Sequence, residues 1–143
     1  MDAKRTAVGL LFGALVAACG GGDADADAAL GPVVGITEPT AGSTYAGGSV
    51  RVVLVAEGIE IAPAAAARAG TAHHHLFVDR DVTPIDQPIP TGDSLIIHLG
   101  GGESEYTLTG LSAGRHRLIA VLANPAHVPL DPLVADTVEF EVR

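Results

Sequence analysis

The stretch DTVEFEV, residues 136–142, alternates without a break: Val138, Phe140 and Val142 face one way, Thr137, Glu139 and Glu141 the other. A side-chain period of two, apolar on one side and charged on the other, marks a half-buried strand at the surface of a sheet. Working back along the chain, similar short runs recur between turn residues. Arg115–Ala123, Tyr106–Thr109 and Leu95–Leu99 are strand candidates, and so are His73–Asp79 and Val33–Thr37. Ser49–Ala56 is β-branched and apolar on both faces, which predicts a central strand. The connections are rich in turn formers: Glu38-Pro39 and TAGSTYAGG after the first strand, and TPIDQPIPTGDS with Pro84, Pro88 and Pro90, a loop that cannot donate a regular ladder. Residues 61–72, IAPAAAARAGTA, are the one helical turn expected, with Pro63 near its start and Gly70 beyond its end. About seven short strands with little helix predict an all-β domain, an immunoglobulin- or fibronectin-III-like β-sandwich over residues 32–143. The Cys–Trp–Cys core of an antibody domain is excluded, since the chain has one cysteine and no tryptophan.

The first thirty residues read differently. Lys4 and Arg5 precede an uncharged apolar run, Thr6–Ala18, too short for a mature span of roughly 20 residues and suited to a cleaved signal. Leu15-Val16-Ala17-Ala18 before Cys19 resembles a bacterial lipobox, in which the cysteine thiol takes the diacylglyceryl group. Residues 1–18 are thus expected to be a lipoprotein signal peptide and Cys19 the lipidated first residue of the mature chain. Residues 19–31, rich in Gly, Ala and Asp, lack the bulk to offset ordering entropy and are expected to form a flexible acidic tether. Gly20 stands where Gram-negative lipoproteins retained at the inner membrane often carry Asp. The expected location is therefore the periplasmic face of the outer membrane or the cell surface, with the lipid anchor as the membrane contact.

The formal charge of −9 becomes −10 when Asp2, Lys4 and Arg5 leave with the signal, and no lysine remains. Such a chain is excluded as a nucleic-acid binder, which relies on basic contacts to phosphate. It is also a poor ligand for an anionic bilayer through the domain's own surface. With Cys19 acylated, the domain has no disulfide.

All six histidines lie between positions 73 and 127. On a strand, His73 and His75 share one face and His74 takes the other, and an H-x-H pair on a strand suits Zn²⁺ or Cu²⁺. In a sandwich, the strand beginning at His73 pairs antiparallel with Arg115–Ala123, so its start lies beside that strand's end. His127, a few residues beyond Ala123, then falls near His73 and His75, while His116 falls at the far end. His116 shares a face with Leu118, Ala120 and Leu122 and reads as structural. His98 alternates with Ile97 and Leu99 and joins the site only if its strand folds over the same end. Asn124 and Asp131 are further candidates, as oxygen ligands or as partners of the ligands. A soft Cu⁺ site of thiolates and thioethers is excluded, because Cys19 is acylated and Met1 leaves with the signal.

The segment GTAHHHLFVDRDVTPIDQPIP, residues 70–90, resembles the bacterial family called domain of unknown function 4399, whose members carry G-T-G-H-H-H-L-x-x-D followed by D-x-P-I-P. The resemblance continues through Pro63, His98-Leu99-Gly100-x-Gly102, Gly114-x-His116-x-Leu118 and His127-x-Pro129. It implies an exported single domain of β character and no particular activity. Leu130 stands where members often have a second histidine, and the family's G-K-G-x-T turn is here Gly100-Gly101-Gly102-Glu103-Ser104. If that family histidine is a ligand, the site here is reduced.

Two functions are in competition. One is an envelope lipoprotein that binds Cu²⁺ or Zn²⁺ through His73, His75, His127 and His98 for capture or delivery. The other is a non-catalytic immunoglobulin-like module that binds an envelope protein partner, with structural histidines. An enzyme is not expected: the chain has no G-x-S-x-G elbow, no phosphate-cradling loop and no H-E-x-x-H helix.

Overall fold

The computed structural model describes residues 31–143; the expected signal peptide, Cys19 and all but the last residue of the expected tether lie outside the described residues. Nine strands follow in order: β1 (Val33–Glu38), β2 (Thr44–Tyr45), β3 (Val50–Glu57), β4 (Glu60–Ile61), β5 (Thr71–Val78), β6 (Ile96–Leu99), β7 (Glu105–Leu108), β8 (Gly114–Ala123) and β9 (Ala135–Val142). Seven of them are the strands expected from alternation and turn residues; β2 and β4 are two-residue additions. β1, β3 and β7 form one sheet. The other runs β2-β9-β8-β5-β4, with β6 also paired to β5. Two sheets packed face to face make the β-sandwich that the sequence predicts.

The core lies where the inward faces meet. Val50, Val52 and Leu54 of β3 pack with Leu76 and Val78 of β5, Leu118 and Ala120 of β8, and Val138, Phe140 and Val142 of β9. β3 is central in its sheet, but its outer side is open to solvent: Val55 is 47% exposed. The prediction of a central strand holds for β3, while its three-stranded sheet leaves the outer face uncovered. β5 is the strand buried on both faces along its whole length. Its inward residues join the core, and its outward Phe77 packs with Ile119, Val121, Ala123 and Ile89, the last contributed by the proline-rich loop.

The helical turn expected over residues 61–72 shrinks to a single 3-10 turn at Ala64–Ala66. The reason is tertiary. Glu60 and Ile61 pair in parallel with Thr71 and Ala72, Ala62 N–H donates to the Ala72 carbonyl (3.0 Å), and Ala64 N–H donates to the Gly100 carbonyl (2.8 Å). Strand pairing holds both ends of the segment extended, so only the few residues between them are left to turn.

Candidate metal centre

β5 and β8 pair antiparallel with His73 opposite Ala123 and His75 opposite Val121. After Ala123 the chain turns back on itself, with Ala123 bridging Pro129, so the loop 124–128 folds over the end of the sheet. Asn124 shapes this loop. Its Oδ1 accepts the N–H of Ala126 (2.8 Å) and of Val128 (3.2 Å), while its carbonyl accepts the His127 N–H (2.9 Å). His127 itself sits in the left-handed region at φ 61°, which is uncommon for a residue with a side chain. Ile89 N–H, from the proline-rich loop, donates to the His127 carbonyl (2.8 Å) and pins the loop from above.

On the other side of β5, β6 pairs antiparallel and sets His98 directly opposite His75. His73, His75, His98 and His127 thereby converge on the outer face of the larger sheet, and one ring nitrogen from each lies within 4.8 Å of the other three. The six ring-to-ring distances run from 4.7 to 5.7 Å. A tetrahedral ion held about 2.0–2.1 Å from each nitrogen would set them about 3.3 Å apart, so the widest pair needs to close by about 1.5 Å, within the reach of side-chain rotation.

His73 and His75 are 1% and 2% exposed, and neither ring nitrogen of either has a hydrogen-bond partner among the described residues. A neutral imidazole carries one donor and one acceptor, and leaving such groups unpaired in a dry site costs about 1–3 kcal/mol each. Burial pushes His73 down to about 4, with repulsion from His98, His127 and His74 adding to it. Burial likewise lowers His75 to about 3, helped by His73, His98, His127 and His74. His98 is also lowered, by burial and by His127, against an opposing pull from Glu103. Both buried rings are therefore neutral at pH 7, the form that ligates a metal.

The remaining candidates fall elsewhere. His116 lies apart from the group: its Nδ1 bonds the Asp79 carboxylate (2.7 Å) and its Nε2 the Ser112 carbonyl (2.8 Å). Burial works against charging it, but those two bonds outweigh burial and raise its pKa above 6.5. His74 points inward, with Nδ1 3.1 Å from the Glu103 carbonyl. Asn124 spends its oxygen on the loop, so it holds His127 in place and is no ligand in this arrangement. Asp131 is exposed and lies outside the four-histidine group. Leu130 packs with Ala72, Leu122 and Val134 in an apolar cluster, so the four rings converge without position 130.

Sequence reasoning left His98 conditional and missed Gly100. A Cβ at Gly100 would stand 2.7 Å from His98 Cε1, so the bare backbone there makes room for the ring. The glycine run that begins two residues after His98 is the signal for it.

The sequence profile of the family described as "Domain of unknown function (DUF4399)" matches residues 52–143. The chain belongs to DUF4399. The match takes in all four histidines and every strand from β5 to β9, while β1 and β2 precede it. No curated protein matches the chain. One solved structure that aligns with it is a crystal structure of an engineered protein, at 14% identity and a TM-score of 0.47 over 78% of this chain. The chain spans only 20% of that protein's length.

Proposed function

We propose that this DUF4399 chain is an exported, lipid-anchored envelope protein that binds a divalent transition metal, Cu²⁺ or Zn²⁺, for capture or delivery rather than catalysis. One observation carries the metal reading. Two buried neutral imidazoles, His73 and His75, have no partner among the described residues for any of their four ring nitrogens, and two further imidazoles stand against them. An ion offers those lone pairs the partner that the protein does not. All-imidazole donors suit Cu²⁺ and Zn²⁺, and the absence of any cysteine after Cys19 disfavours Cu⁺. Support for the anchor is the lipobox-like run before the lone Cys19.

Metal analysis and titration of protein purified without a histidine tag test the binding. One ion per chain is expected, lost in a His73→Ala/His75→Ala double variant. A wild-type chain that binds neither Cu²⁺ nor Zn²⁺ leaves the alternative, an interaction module with structural histidines. Cys19→Ser is expected to release the protein from the membrane fraction, and unchanged fractionation without loss of lipid mass refutes the anchor.

A further inference from the structure

The four histidines are not equivalent in how they are held. His73 and His75 are rooted in β5, which is flanked by paired strands on both sides, and both are almost fully buried. His127 is half-buried on a loop closed by the Asn124 bonds and by Ile89 N–H. His98 is the exposed member, on a four-residue strand that pairs only with β5 and runs straight into the Gly100–Gly102 turn. Its ring rests over Gly100, with no side chain of that residue behind it.

Resting on the metal reading above, we propose that the site is built to hand its ion on: His73, His75 and His127 form the retaining tripod, and His98 is the ligand that an incoming nitrogen or oxygen donor displaces. A four-coordinate ion exchanges fastest when a new donor arrives as an old one leaves. The ring that leaves is the one that solvent already reaches, carried by β6, which pairs only with β5. On the Phe77 side the outer sheet face is covered by Ile89 and Val82, which closes that approach, and His73 and His75 are themselves buried.

The test is stopped-flow transfer of Zn²⁺ from the loaded full chain to a chromogenic pyridylazo chelator. For the wild type the rate should rise in proportion to chelator concentration. His98→Ala should keep one Zn²⁺ per chain, with affinity weakened and transfer accelerated by a similar factor of about tenfold, because losses among related complexes fall mainly on the off-rate. His75→Ala should lose binding altogether. Gly100→Ala, which pushes the His98 ring aside without deleting it, should shift both quantities in the same direction by less. Release at a rate independent of chelator, or loss of binding in His98→Ala as complete as in His75→Ala, overturns the transfer proposal while leaving metal binding intact. A wild-type chain that takes up no Zn²⁺ overturns both.

Discussion

Replacing His75 with leucine separates what the imidazole does for metal from what it does for the fold. His75 is 2% exposed and carries one donor and one acceptor with no partner among the described residues. Each unmet group costs about 1–3 kcal/mol. A leucine of similar volume removes both, against up to about 1.5 kcal/mol for imperfect shape. The metal-free His75→Leu domain should therefore be more stable than the wild type by about 2 kcal/mol. In urea, with slopes of about 1–3 kcal/mol/M, the midpoint in the presence of a chelator should move up by about 1 M. Zinc reverses the order. At about 100 times its Kd a ligand that binds only the folded state stabilises by about 2.7 kcal/mol, which the wild type gains and the variant does not. Paired denaturation curves with chelator and with Zn²⁺ should thus cross over. If His75→Leu instead loses about 2–5 kcal/mol in chelator, as a core truncation does, the ring is a satisfied structural residue and the reasoning from its bare nitrogens is wrong.

Acid should weaken the metal-free domain in a defined window. His73 and His75 have folded pKa values of about 4 and about 3, below the unfolded value of 6.5, so below pH 6.5 the unfolded chain takes up protons that the folded chain refuses. Stability should fall by up to about 1.4 kcal/mol per pH unit for each, from about pH 6.5 down to those values, as measured by denaturation in chelator. His116 works the other way: with its pKa raised, its contribution is full below pH 6.5 and is lost as pH rises through the folded value. His116→Ala should destabilise the domain by about 1–3 kcal/mol at pH 6, by removing a buried ring and its bonds to Asp79 and the Ser112 carbonyl, and leave metal stoichiometry unchanged by titration. Asn124→Ala should keep the β circular dichroism signal while weakening metal affinity, because the loop that holds His127 at φ 61° loses the bonds to Ala126 and Val128. Unchanged affinity would show that His127 needs no such clamp.

Much of the arrangement is legible in the residues because it is local. A period of two puts His73 and His75 on one face of β5 and His74 on the other, and the same alternation names the seven longer strands. Antiparallel pairing of β5 with β8 then places His127 beside them and His116 at the far end, with no knowledge of side-chain contacts. The tertiary structure alone decided the rest. His98 becomes the fourth ring only because the chain from Asp79 to Leu95 returns to lay β6 against β5 in the register that sets His98 opposite His75. The outer face of β5 is buried because Ile89 and the His127 loop fold over it, and that burial leaves two histidines neutral and without hydrogen-bond partners among the described residues. Leu130 turns into the cluster with Ala72 and Leu122 although it lies three residues from His127. Alternation records which way a side chain points within its own strand. Which loop covers that strand, and in what register a neighbour arrives, depends on contacts between residues distant in sequence, which no local pattern carries.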